Sequence, residues 1–124
     1  MIRGVGFDLC EIERMEQLAE DERFLNRFFT VQEVAFIRSK GKNKAQTLAG
    51  IFAAKEALTK ALGTGIIFDL REIDVRHSET EQRCYALTGE TAEKAGSDRF
   101  LLSISHDGGM AGAVCIRESA EREE

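Results

Sequence analysis

The chain has no proline and no tryptophan among its 124 residues, only three cysteines and two histidines, and no apolar run near the ~18 residues that a bilayer span needs. Each scarcity excludes something. Without proline, and with eleven glycines scattered at turn-like positions, there is no Pro-rich linker to divide the chain, and one compact unit is the simplest organisation. Cys10, Cys84 and Cys115 are an odd set with no CxxC pair, and His77 and His106 lie far from them, so neither a disulfide framework nor a thiolate zinc module is predicted. Met1 leads straight into a strand-like segment rather than a basic leader with an apolar core, so the expectation is a cytoplasmic protein, neither exported nor membrane-bound. A net charge of −5 argues against binding nucleic acid through a general basic surface.

The composition is ordinary for a globular domain, 43% apolar and 31% charged. Residues 2–10 alternate Val5, Phe7 and Leu9 against Gly4, Gly6 and Asp8, the two-residue period of a half-buried strand. Ile12, Met15, Leu18 and Ala19 then recur at helical spacing, so a helix follows over about 11–19. A second short helix carries Phe24, Leu25 and Phe28, and Thr30-Val-Gln-Glu33 has the capping-box form that opens a third, ending near Arg38. The basic loop 38–44 feeds the longest helical pattern, 44–62, which Gly63-Thr64-Gly65 stops. Ile73 and Val75, then Tyr85 and Leu87, alternate with polar neighbours as in a hairpin, and a short helix is predicted at 89–95. Strands at 100–106 and 110–116 are joined through Asp107-Gly108-Gly109, a strong hairpin signal. The expected class is α+β: one long central helix plus short helices packed on a mainly antiparallel sheet, as a single domain over 1–117 with a charged, frayed tail over 118–124.

Chemistry concentrates at few places. Phe52, Glu56 and Lys60 stack at intervals of four along one face of the long helix, setting a carboxylate beside an ammonium among small alanines. The same spacing also describes an ordinary intrahelical ion pair. Asp8, between a glycine-bearing strand and a helix, reads either as a cap or as one of two carboxylates that with Glu56 would require a cation such as Mg²⁺. His106 ends a strand on the face of Leu102 and Ile104, the place of a structural histidine or of a ligand contact. Arg38, Lys40, Lys42 and Lys44 form either a solvated loop or a phosphate-binding run. Gly4-Val-Gly6 and Gly63-Thr-Gly65 complete neither a dinucleotide fingerprint nor a P-loop.

Gly4-Val-Gly-Phe-Asp8-Leu-Cys-Glu11-Ile-Glu-Arg14, the segment 24–33, Leu48-Ala-Gly-Ile-Phe-Ala-Ala-Lys55-Glu56-Ala57, Lys60-Ala-Leu-Gly-Thr-Gly65-Ile66 and Leu102-Ser-Ile-Ser-His106 together resemble the holo-[acyl-carrier-protein] synthase family, the small bacterial 4′-phosphopantetheinyl transferases. The resemblance spans nearly the whole chain. It implies the 4′-phosphopantetheinyl transferase-like fold and transfer of the phosphopantetheine arm of coenzyme A to a serine of apo acyl carrier protein, releasing adenosine 3′,5′-bisphosphate. It further implies a Mg²⁺ requirement and a homotrimer with active sites between subunits. By the same resemblance, Asp8 and Glu56 are the metal-binding carboxylates and Lys60 lies next to the reacting phosphate; such a transfer also needs a general base, for which Glu56, directly or through a metal-bound water, is the candidate. Lys44, Lys60, Gly65 and His106 are placed with coenzyme A, and Arg14, Met15, Arg23, Phe24 and Arg27 with the acidic carrier protein, although Glu16, Glu20, Asp21 and Glu22 are interleaved with the arginines. Two departures stand out. Ile51 replaces a family arginine, which places coenzyme affinity in question and predicts that Ile51→Arg strengthens it, and Glu81-Gln82-Arg83 replaces a Gly-Lys-Pro turn. A non-catalytic paralogue that binds carrier protein, and a small-molecule regulatory domain, are the competing expectations.

Overall fold

The computed structural model describes residues 1–63, 69–77 and 82–120. Strand β1 (Ile2–Glu11) passes directly into α1 (Ile12–Leu18), which is followed by α2 (Glu22–Phe28) and α3 (Val31–Arg38). Local chemistry starts two of these helices. The Asp21 carboxylate accepts from the Phe24 amide at 3.1 Å, and Thr30 with Glu33 completes the capping box read from the sequence. Helix α1 begins at Glu11 without a side-chain cap, so Asp8 does not serve as one. A 3₁₀ turn (Gly41–Asn43) occupies the basic loop and leads into α4 (Lys44–Leu62), whose bounds are those the sequence predicts. Gly63 ends α4 at φ 68°, in the left-handed region where glycine carries no steric cost.

The second half supplies most of the sheet. A 3₁₀ turn (Leu70–Glu72) precedes β2 (Ile73–His77) and β3 (Arg83–Leu87), an antiparallel pair; α5 (Gly89–Ala95) follows, then β4 (Arg99–Asp107) and β5 (Met110–Glu118). Gly108 and Gly109 join β4 to β5 with φ of 57° and 81°, positive at both central residues as a twisted two-residue hairpin requires. The main sheet is antiparallel in the order β1-β5-β4, and β2-β3 forms a separate pair. The predicted start of the frayed tail lies too early: Glu118 pairs with Ile2 across the sheet and bonds Arg99 at 3.2 Å, and the Ser119 amide donates to Met1 O at 2.8 Å. Strand pairing holds this charged segment, and residues 121–124 lie outside the described residues.

Helix α4 packs along the sheet with small residues on both sides of the contact. It contributes Ala53, Ala54, Ala57 and Ala61, all buried, against Gly4 and Gly6 of β1 and Ala111, Ala113 and Cys115 of β5. A Cβ on Gly6 would stand 1.7 Å from Ala57 O, and one on Gly4 2.1 Å from Ala61 O, so β1 meets the helix backbone directly. Leu48, Ile51 and Leu58 fill the other side of α4, each sealed side chain contributing about 1.5–3 kcal/mol to folding. The buried face of β1 is therefore its glycine face. Val5, Phe7 and Leu9 point away from α4 and stay 59%, 56% and 55% exposed.

Candidate active site

The two carboxylates singled out in the sequence face the same place. Because the glycines bring β1 against α4, Asp8 lies over the helix, and the Lys60 ammonium donates to Asp8 Oδ1 at 2.9 Å and to Phe7 O at 3.1 Å. Lys60 is thus bonded across the fold to Asp8 rather than along its own helix to Glu56, which removes the simple intrahelical ion pair. Glu56 lies one turn earlier, half-buried. Desolvation raises its carboxyl above the ordinary value of 4.5, the charge of Asp8 raises it further, and the Lys60 ammonium pulls it back. Two acids that repel one another beside a single ammonium form an anionic pair open to a cation.

Beside Glu56 is a cavity of about 490 Å³ lined by Phe24, Arg27, Phe28, Phe52, Glu56, Asp69, Leu70 and Arg71. Its rings are mutually packed, Phe24 lying 5.3 Å from Phe28 and 6.4 Å from Phe52, with the Arg27 guanidinium over the Phe28 ring. Arg71 is held at the rim by two bonds to Asp69, of 3.1 and 2.8 Å. At the other end of α4, His106 Nε2 lies 2.9 Å from Gln46 Nε2, and from Gln46 to Glu56 is about 15 Å of helix at 1.5 Å per residue. His106 also borders a second hollow, of about 320 Å³, on the outward face of the sheet with Phe7, Leu9, Ser103, Ser105 and Val114.

Comparison with known proteins identifies the family and the fold. The sequence profile of the 4′-phosphopantetheinyl transferase superfamily matches residues 4–113. The chain belongs to that superfamily. A holo-[acyl-carrier-protein] synthase of Caldicellulosiruptor saccharolyticus is 39% identical over 124 residues, 98% of this chain and 100% of that protein. The crystal structure of the Neisseria meningitidis holo-[acyl-carrier-protein] synthase superposes with a TM-score of 0.82 at 31% identity, covering 96% of this chain and all of that one. The Bacillus anthracis synthase, solved in complex with CoA (3′,5′-ADP), gives a TM-score of 0.81 at 33% identity over 97% of this chain and 99% of that one. The α+β fold with its long central helix is the fold of these synthases, and the chain is a phosphopantetheinyl transferase by family.

Within this transferase the predicted site residues divide into groups. Asp8, Glu56 and Lys60 are brought together, whereas Lys44 and His106 lie at the far end of α4, and Lys44 is bonded to Glu20 at 3.1 Å. Gly65 lies outside the described residues. Arg14, Arg23 and Arg27 are exposed on α1 and α2, and Phe24 lines the larger cavity. Met15 is a correction. It is fully buried, because the apolar stripe of α1 at 12, 15 and 18 turns inward towards α4, and it cannot be a surface anchor. Ile51 is a second correction: at 1% exposure it belongs to the core, so arginine there would bury a charge rather than reach a phosphate. Three of the interleaved acids are already engaged, Asp21 as the α2 cap, Glu20 with Lys44 and Glu22 with Arg38, which leaves the arginines less diluted than the sequence suggests.

Sequence reasoning missed Asp69, Leu70 and Arg71, which form the far wall of the cavity. Nothing local marks them, since they follow the end of α4 and return to its side through tertiary packing. Phe28 and Phe52 were closer to hand, because Phe52 shares the i, i+4 row of Glu56 and Lys60.

Proposed function

We propose that this chain transfers the 4′-phosphopantetheine arm of coenzyme A to a serine of apo acyl carrier protein in a Mg²⁺-dependent reaction that releases adenosine 3′,5′-bisphosphate. The observation that carries the reading is the meeting of Asp8, Glu56 and Lys60 beside an apolar cavity rimmed by arginine. Asp8 and Glu56, which sit together at Lys60, would supply two hard oxygen ligands. That donor set suits Mg²⁺, which is ordinarily bound by one or two carboxylates and completes its shell with water and substrate phosphate. Bound there, the cation would supply charge neutralisation on the pyrophosphate.

The chain's own groups account for the remainder. The Lys60 ammonium, 53% exposed in its side chain, exchanges Asp8 for an oxygen of the phosphate under attack and offsets the negative charge that grows there. Glu56, with a carboxyl raised above the ordinary range, is placed to take the proton of the serine hydroxyl as that oxygen forms its bond to phosphorus and the bond to the bisphosphate breaks. Phe24, Phe28 and Phe52 accept apolar side chains of the carrier, and Arg14, Arg23 and Arg27 its acidic ones.

Lys44, Gly65 and His106 are read with the coenzyme, as an extended ligand running from the His106 end of α4 towards Lys60. We read the assembly as a homotrimer with sites between subunits, and the outward sheet face is the surface it would cover, since Val5, Phe7, Leu9 and Leu101 share that face and are all more than half exposed. The test is to incubate the protein with coenzyme A, Mg²⁺ and an apo carrier and follow the carrier's mass. Phosphopantetheine addition is expected, lost in Asp8→Ala and Glu56→Ala; a carrier of unchanged mass under the intact protein overturns the reading.

A further inference from the structure

We propose that Lys55 and Glu33 are positioning residues for the carrier-facing wall of the Glu56 cavity, a role that rests on the reading of that cavity given above. Lys55 precedes Glu56 on α4, but one residue turns a helix by about 100°, so Glu56 faces the cavity while Lys55 is sealed in the interior at 0% exposure. Its ammonium has three protons and three acceptors: Glu33 Oε1 at 2.6 Å, Leu70 O at 2.8 Å and Ile73 O at 2.7 Å. Glu33, also sealed, accepts from the Thr30 amide at 2.8 Å and from the Val75 amide at 2.7 Å.

One ion pair thus ties α3, α4 and the segment from Leu70 to Val75 together. A well-packed apolar pair would hold a core as firmly as buried charges do, and often more so. The ion pair adds direction. Two carbonyls three positions apart are drawn to a single nitrogen, which fixes where the Leu70 turn stands beside α4, and with it Asp69 and Arg71 on the wall facing Glu56. Lys55 touches no substrate and acts through Leu70 and its neighbours.

The test is Lys55→Met/Glu33→Gln in the full chain. Methionine fills the volume without charge, and glutamine keeps the capping geometry of α3, so no lone charge remains buried. The fold and the KM for coenzyme A are expected to stay near the parent's and kcat within about threefold, while the KM for apo carrier rises about tenfold. Amide exchange over residues 71–75 should quicken while the interior of α4 keeps its protection. A folded double variant with unchanged carrier KM and unchanged exchange overturns the proposal. If the double variant does not fold, Glu33→Asp carries the test, since it keeps both buried charges and only draws the carboxylate back by one methylene; smaller rises in both readouts are expected, and no change in either overturns the proposal. Failure of the parent to modify any carrier would defeat the transfer reading, and exchange over 71–75, which needs no turnover, would still decide the tether.

Discussion

Gly6→Ala isolates the contact on which the site depends. The added methyl would lie 1.7 Å from Ala57 O, 2.7 Å from Ala57 C and 2.9 Å from Ala61 N, where ordinary contact begins at 3.4 Å. All three are backbone atoms of α4, so no side chain can swing aside, and β1 must retreat from the helix by about 1.7 Å. Overpacking of this kind costs about 3 kcal/mol, a large part of the 5–15 kcal/mol that stabilises a domain, and should lower Tm by about 10 °C. The retreat carries Asp8 with it, two residues along the same strand, away from Glu56 and Lys60. A displacement above 1 Å at a reacting centre costs about a hundredfold in rate, so the folded fraction should also lose about that much turnover. Thermal unfolding, and transfer measured well below the lowered Tm, separate the two effects. A variant with parental Tm and turnover within threefold would refute the claim that the glycine face of β1 sets the site.

Three further outcomes are expected. Titrating Glu56 by NMR in the metal-free protein should give a midpoint above 4.5, since burial and then Asp8 both favour the protonated form, and Asp8→Asn should bring it part of the way back. The sign for stability follows: the contribution of neutral Glu56 is present below its unfolded pKa and lost as pH rises through the raised folded value, whereas activity needs the carboxylate and fails in the opposite direction. Saturating Mg²⁺ should pull the same midpoint down, and an unmoved midpoint would remove the cation from this pair. Ile51→Arg should destabilise the protein by about 3 kcal/mol or more in urea melts, because the side chain is sealed in the core; an unchanged midpoint would show that the position opens to solvent. Phe7→Arg should reduce the mass in solution towards the 13.8 kDa of one chain, by light scattering, and an undiminished mass would exclude the exposed sheet face as the assembly surface.

Much of the local structure is legible because it is written in adjacent residues. The α4 bounds follow from an alanine-rich period and a glycine stop, the start of α3 from a capping box, and the β4-β5 turn from paired glycines. Alternation assigns His106 to its face but not to its partner Gln46, because a two-residue period names a face without naming what covers it. Met15 shows the same limit in reverse: it sits on the inward stripe of α1, and only the packing against α4 decides that it is closed to a partner protein.

The sequence by itself determined the elements, their order, the family resemblance and the short list of chemically able residues, since propensity, capping and turn geometry act over a few positions. The tertiary structure decided that β1 buries its glycines and exposes its large apolar residues, that Lys60 bonds Asp8 across 52 positions rather than Glu56 across four, and that Lys55 pins the Leu70 turn. Those outcomes depend on how closely two backbones can approach and on which charges are left unpaired when they do, and no local pattern carries either quantity.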